Sequence, residues 1–179
     1  LAGIGSNFSY LILFVGILLT VSSAIAQWYW VTLAAVVLTP TLLMFFRDPY
    51  RAIPNDRNLI VSPADGIVTT ILRINKFEPF GEGAICVRIF LSVANVHVNR
   101  SPCHGVVSKL IYKRGRHRNA LNPDSFRDNE SNLMVLNHPT RGNPVAAVRQ
   151  IAGLFARTII CAVEEGEVLQ RGQRFGIIN

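Results

Sequence analysis

Phe90 to Gly105 reads FLSVANVHVNRSPCHG, and a strand-like run leads directly into it. That run, Ile85 to Leu91, is rich in β-branched and aromatic residues, whereas Asn95 and Pro102 are turn residues that break the pattern. His97 therefore falls at the rim of a predicted strand, among small and polar neighbours. Imidazole serves both as a packing residue and as a proton shuttle, so the histidine alone leaves both roles open.

The charge distribution divides the chain into two segments. Residues 1–46 contain no Asp, Glu, Lys, Arg or His, so every formal charge lies from Arg47 onward. Phe8 to Ala26 and Trp28 to Phe46 are each close to the roughly 20 apolar residues that a helix needs to cross a bilayer. We therefore expect a two-helix transmembrane hairpin anchor over residues 1–46 and a β-rich domain over residues 47–179. A single long or re-entrant span is the alternative.

The flanks of the apolar segment predict its orientation. Arg47, Arg51 and Arg57 follow the second stretch, and arginine beside a span favours the cytoplasmic side. We expect the protein at the inner cell membrane, with its catalytic domain in the cytoplasm. An odd number of cysteines without metal-ligand spacing fits a reducing compartment and predicts neither a disulfide framework nor a metal site. These cysteines are Cys86, Cys103 and Cys161.

The excess of basic residues indicates the kind of surface that the protein meets. Eighteen Lys and Arg residues against 11 Asp and Glu residues give a formal net charge of +7. Beside a membrane, anionic lipid headgroups are the natural counterpart of such a charge. Nucleic acid is the competing interpretation of a basic protein, but the cations are scattered along the chain. We therefore expect a membrane partner and no nucleic acid.

The charged segment contains many short apolar or alternating runs separated by Gly, Pro, Asn and Asp, which is typical of a barrel or sandwich. Two Gly-centred segments, Pro63 to Val68 and Glu165 to Gln173, resemble each other and resemble the half-motifs of lipoyl and biotinyl carrier domains. The predicted fold is a barrel-sandwich-like domain of duplicated half-motifs on a helical membrane anchor. The predicted strands are Val68 to Ile74, Ala84 to Leu91, Gly105 to Tyr112, Asn132 to Leu136, Val145 to Ala152 and Thr158 to Val163.

A series of linked motifs resembles the short form of phosphatidylserine decarboxylase, in the same order and over essentially all of residues 47–179. Several motifs in order are far more specific than any one of them. The motifs are Phe45 to Arg51, Ser62 to Gly66, Phe90 to Pro102, Asn122 to Asp124 with Asn129 to Asn132, Gln150 to Gly153, and Arg171 to Gly176.

The resemblance implies a proenzyme that cuts itself at a Gly-Ser bond. The cut leaves a large β chain and a short α chain, whose first residue has become a pyruvoyl group. No Gly-Ser follows Phe175 here, and Gly5-Ser6 lies ahead of the apolar segment. The expectation is a β chain that ends just before the cleavage site, with the pyruvoyl cofactor supplied by the partner α chain.

The reaction that the resemblance implies is decarboxylation of phosphatidylserine to phosphatidylethanolamine. Loss of the carboxylate leaves a carbanion, and the pyruvoyl ketone, condensed with the serine amine as a Schiff base, accepts its electrons as pyridoxal phosphate would. The chain has three lysines and no obvious pyridoxal pocket, which is consistent with a built-in carbonyl. The oligomeric state stays open, with a homo-oligomer of αβ units as one option.

The same resemblance places roles on named residues. His97, held by Asp65, is expected to be the base that activates the serine for self-cleavage. The longer bacterial form of the family has a second histidine three residues on, where this chain has Arg100. Arg100, Arg118 and Asn119 are candidates for binding the phosphate or carboxylate of the lipid, because guanidinium pairs with both.

The competing function is a membrane-anchored carrier or adaptor of lipoyl-like fold, or a lipid-binding module, without catalysis. A carrier domain needs a lysine exposed at a hairpin tip. Neither Asp65-Gly66 nor Gly166-Glu167 offers one.

Overall fold

The computed structural model describes residues 2–45, 47–56, 58–119, 122 and 124–179. The chain divides into two compact units, Leu1–Pro49 and Tyr50–Asn179. Phe46, Arg57 and Pro123, which belong to a predicted span, its basic flank and a motif named above, lie outside the described residues.

The first unit is a hairpin of two helices, α1 (Ala2–Ile25) and α2 (Tyr29–Phe45). The chain reverses between them at Gln27, which adopts a left-handed φ of 56°. The helices approach closely at Gly16, where an added Cβ would lie 2.3 Å from the Thr39 Oγ1 atom. A glycine is therefore needed there for the two backbones to pack.

The prediction of a two-helix membrane anchor is wrong. Within the described residues, no helix is both long enough and apolar enough to cross a membrane. The turn between the helices takes residues from both predicted spans, and α2 keeps only 17 residues. A helix of that length rises about 25 Å, which is short of the roughly 30 Å hydrocarbon core.

The second unit is mainly β and consists of three antiparallel sheets and one short helix, α3 (Ser125–Asp128). In each sheet, strands that are neighbours in the order given are hydrogen-bonded to each other. The two-stranded sheet is β1 (Ile67–Ile74) and β2 (Ala84–Phe90); the three-stranded sheet is β3 (Val98–Arg100), β9 (Arg174–Ile178) and β7 (Ile159–Cys161); the four-stranded sheet is β6 (Pro144–Ile151), β5 (Ser131–Asn137), β4 (Gly105–Lys113) and β8 (Val168–Leu169).

The core of this unit lies around β5, whose residues are buried on both faces from Ser131 to Leu136. Alternation along β4 buries Gly105 and Val107 against it while the far end of the strand is exposed. Side chains from β8 and β9 complete the cluster, in which Leu169 and Phe175 are fully buried. The core therefore joins the four-stranded sheet to β9.

The predicted duplication of lipoyl-type half-motifs is not observed. The segment after Pro63 leads into β1, which pairs with β2 in the two-stranded sheet. The segment Glu165 to Gln173 instead contains β8, which pairs with β4, and leads into β9, which pairs with β3 and β7. The two segments look alike because each has a turn glycine, Gly66 and Gly166, and this local likeness does not extend to strand pairing.

Candidate functional site

His97 directly precedes β3, and β9 runs antiparallel beside it. Val98 pairs with Ile177 and Asn99 with Gly176, and the backbone N–H of Ile178 donates to the His97 carbonyl at 3.3 Å. Asn179 follows Ile178 directly, and its backbone N–H donates to the Thr158 carbonyl at 2.7 Å. The last residues of the chain therefore lie alongside His97.

The ring of His97 is buried, with 4% of its surface exposed. Its Nδ1 atom lies 3.0 Å from the backbone carbonyl oxygen of Asn95. A carbonyl only accepts hydrogen bonds, so Nδ1 carries the proton of the neutral ring and Nε2 is its unprotonated nitrogen. Burial lowers the pKa of His97 below its ordinary 6.5, against an opposing contribution from the Asn95 hydrogen bond. His97 is therefore a neutral ring with a basic Nε2 at neutral pH.

The Asn95 carbonyl is held in place by the turn that contains it. The side-chain Oδ1 of Asn95 accepts from both the backbone N–H and the hydroxyl of Ser92, at 2.8 Å each. The backbone N–H of Asn95 donates back to the Ser92 carbonyl at 2.9 Å. These three hydrogen bonds close the turn and fix the position of the Asn95 carbonyl, which binds the His97 ring.

Asp65 lies in the segment that runs beside β3. The Arg100 N–H donates to the Pro63 carbonyl at 2.9 Å, which places Asp65 two residues beyond that contact. Its carboxylate receives both Nε and Nη2 of Arg51, in a two-point pair with Nε 3.2 Å from Oδ1. The group that the structure shows on Nδ1 of His97 is the Asn95 carbonyl, so the orienting role of Asp65 stays a prediction.

The three residues predicted to bind the lipid headgroup fall in two places. Arg100 lies in β3, near His97, and its guanidinium donates to the Gly172 carbonyl at 3.2 Å. Arg118 pairs with Asp128 at 3.1 Å, and the exposed Asn119 accepts a backbone bond from residue 122 at 2.9 Å. Arg100 therefore lies in the same part of the fold as Asp65 and His97. Arg118 and Asn119 lie in the loop that follows β4.

Comparison with known proteins identifies the family. A sequence model described as phosphatidylserine decarboxylase matches residues 38–179. The chain belongs to the phosphatidylserine decarboxylase family. Relatives named phosphatidylserine decarboxylase proenzyme include those of Rhodopirellula baltica, 40% identical over 89% of this chain and 66% of the relative, of Wolbachia pipientis, 43% identical over 79% and 64%, and of Magnetococcus marinus, 38% identical over 97% and 78%.

This family membership confirms the resemblance drawn from the linked motifs and favours the decarboxylase over the carrier and lipid-binding alternatives. The chain spans about two thirds of the length of the first two relatives, 66% and 64%. Each relative is named a proenzyme, which describes a precursor that is processed.

Three buried amide side chains of this decarboxylase-family chain form one cluster, which was not predicted from the sequence. Asn99, Asn132 and Gln150 are 3%, 4% and 2% exposed. Their side chains are linked, since Gln150 donates to Asn99 at 2.8 Å and Asn132 donates to Gln150 at 3.3 Å. One signal was present in the sequence: Gln150 alternates with Val148 and Ala146 along an otherwise apolar strand, which places a polar side chain on the buried face.

Proposed function

We propose that this chain, with a pyruvoyl-bearing segment of the same precursor, decarboxylates phosphatidylserine to phosphatidylethanolamine. The observation that carries the proposal is the buried His97, whose Nδ1 is held by the Asn95 carbonyl at 3.0 Å, so that Nε2 is the unprotonated nitrogen of the neutral ring. A base in that state takes the proton of a serine hydroxyl during maturation and holds it for return to an amine or a carbanion. The family match and the proenzyme names of the relatives support the same function.

The residues around His97 fit a pyruvoyl group delivered by backbone that continues from β9. The backbone N–H of Ile178 donates to the His97 carbonyl, so precursor residues that follow β9 would start beside His97. The half-buried Ser92 and Asn95 give the neighbouring turn fixed polar groups. When bound, a pyruvoyl carbonyl supplies an acceptor for the electrons that remain after the carboxylate leaves.

The chain's own side chains bind and orient the substrate in this proposal. Arg100 offers guanidinium N–H groups to the lipid phosphate or carboxylate, for which paired hydrogen bonds suit the planar fork. The carboxylate of Asp65 is oriented by its two-point pairing with Arg51. The predictions of cytoplasmic-side localisation and of a homo-oligomer rest on the sequence alone.

Intact mass spectrometry of the full gene product tests the proposal, with wild type, His97→Ala and the control His138→Ala compared. His138 lies in an exposed turn where its ring binds Thr140. We expect wild type and the control to give two chains, one with a pyruvoyl N-terminus, and to release CO2 from phosphatidylserine vesicles. His97→Ala should remain a single uncut precursor. A wild-type product that stays uncut and releases no CO2 would refute the function.

A further inference from the structure

The three buried amides form a directed chain that links the four-stranded sheet to β3. Asn132 on β5 donates to Oε1 of Gln150 on β6, at 3.3 Å. Gln150 in turn donates through Nε2 to Oδ1 of Asn99, at 2.8 Å. Burying an amide costs free energy unless its hydrogen bonds are made, so each member depends on its neighbour for orientation.

Gly176 provides the space through which the Gln150 side chain reaches β3. This glycine pairs with Asn99 on one side and with Cys161 on the other. A Cβ added at Gly176 would lie 2.7 Å from Nε2 of Gln150 and 2.7 Å from the Ile160 carbonyl oxygen. The crossing of the amide over β9 therefore requires the bare backbone that glycine supplies.

Asn99 lies two residues after His97, and both residues are buried. Residues two apart along an extended strand point to the same face. Because Oδ1 of Asn99 accepts from Gln150, the Nδ2 group lies on the opposite branch of the planar amide. A fixed neutral donor beside a base is the arrangement that stabilises negative charge on an attacked carbonyl oxygen.

We propose that Asn99, oriented by the positioning residue Gln150, donates through Nδ2 to the carbonyl oxygen attacked during maturation. This inference rests on the proposed function, which supplies the self-cleavage. The serine Oγ bonds to the carbonyl carbon as its proton passes to Nε2 of His97, and the carbonyl electron pair moves onto the oxygen, where Asn99 donates. When that pair returns, the carbon–nitrogen bond breaks, and His97 gives its proton to the departing amine.

The test follows the cleavage rate of the full-length precursor, made by cell-free translation and transferred to buffers from mildly acidic to mildly alkaline pH. The variants are Gln150→Ala, Gln150→Glu and the matched control Val98→Ala, which changes packing in the same strand and leaves the amides intact. Thermal unfolding checks that each variant is folded. We expect Gln150→Ala to cleave at least about tenfold more slowly at every pH, in line with the loss of one oriented donor, and Val98→Ala to cleave like wild type.

Gln150→Glu distinguishes orientation of Asn99 from a merely structural role. A protonated carboxyl donates to Oδ1 of Asn99 as glutamine does, whereas an ionised one only accepts and turns the Nδ2 group of Asn99 toward itself. Burial raises the pKa of such a carboxyl into the measured range. The ratio of variant to wild-type rates should therefore approach one at low pH and fall as pH rises.

Two results would overturn the inference: a folded Gln150→Ala variant that cleaves at the wild-type rate, or a Gln150→Glu ratio that does not change with pH. If Gln150→Ala does not fold, the Gln150→Glu ratio alone decides. A wild-type precursor that does not cleave refutes the proposed function itself, and the inference falls with it.

Discussion

His97 is held neutral by its surroundings, and this makes the stability of the fold depend on pH. Burial lowers its pKa below 6.5 in the folded protein, whereas the unfolded chain keeps the ordinary value. As pH falls below 6.5, the unfolded state binds a proton that the folded state does not, so acid destabilises the fold. The contribution of His97 is fully present above pH 6.5 and is lost as pH falls through the folded pKa.

We expect His97→Asn to flatten the acid side of the stability profile, by at most about 1.4 kcal/mol per pH unit for one proton. The measurement is urea unfolding of both proteins at several pH values on either side of 6.5. His138→Asn is the control, since its ring lies in an exposed turn. Parallel profiles for wild type and His97→Asn would show that the buried ring is protonated alike in both states.

At the residue scale, the sequence singled out His97 but did not predict what holds it. His97 was expected at the rim of the strand-like run Ile85 to Leu91, whereas it lies beyond the following turn, directly before β3. Its partner on Nδ1 is a backbone carbonyl, that of Asn95, and every residue has a carbonyl, so no residue type marks the contact. From the sequence, Arg51 was predicted only as a positive charge that follows the apolar segment. In the structure its guanidinium binds the carboxylate of Asp65, 14 residues later in the chain.

At the element scale, the turn between β8 and β9 depends on Gly172. Its φ is +77°, and an added Cβ would lie 2.4 Å from the Cδ1 atom of Ile53. We expect Gly172→Ala to destabilise the protein by roughly 1–2 kcal/mol for the left-handed backbone, and further because Ile53 must move. Gly142 is a matched control, since its φ is +72° and nothing lies within 4 Å of its added Cβ.

Urea unfolding of Gly172→Ala and Gly142→Ala separates the two costs. Gly142→Ala measures the backbone cost alone, and the difference between the variants measures the packing of Ile53 on the turn. Equal losses in the two variants would mean that Ile53 gives way without cost.

The strands show which elements an alternating pattern of apolar and polar residues predicts and which elements it does not predict. All six predicted strands are present within two residues of their predicted bounds. The three that were missed, β3, β8 and β9, have 3, 2 and 5 residues. β3 and β8 are too short to repeat an alternation, and β9 is interrupted by Gly176. β7 is equally short, but it lies within the longer apolar run Thr158 to Val163. The site depends on two of these strands, so the sequence indicated its histidine without the pairing that surrounds it.

At the scale of the whole molecule, apolar composition predicted a helical hairpin but not the length of its helices. The charge-free residues extend through the turn at Gln27 and ahead of the first predicted span, so α1 begins earlier than predicted, at Ala2, and α2 is shorter than predicted, with 17 residues. Contacts between distant parts of the chain were equally hidden. In segment 50–61, the described residues form neither helix nor strand. A side chain more than 110 residues away attaches this segment to the β8–β9 turn.

That attachment is the guanidinium of Arg171, which donates to three backbone carbonyls of the segment. One Nη1 bond reaches the Leu59 carbonyl at 3.0 Å, and further bonds reach the carbonyls of Asp56 and Pro54. A planar fork with several donors can satisfy three separate acceptors, whereas the single ammonium of lysine cannot match that spread. Segment 50–61 should therefore open more often when Arg171 is replaced, because its carbonyls then turn to water.

We expect Arg171→Ala and Arg171→Lys both to speed limited proteolysis within segment 50–61, by about fivefold or more if two to three hydrogen bonds near 0.5–1.5 kcal/mol each are lost. The control is Arg149→Ala, which removes a guanidinium from the exposed face of β6. Cleavage is followed by mass spectrometry with a protease that does not cut at arginine, so the substitution does not remove a cutting site. If Arg171→Lys is as resistant as wild type, a single charge at this position is enough to hold the segment, and the three-acceptor geometry carries no special weight.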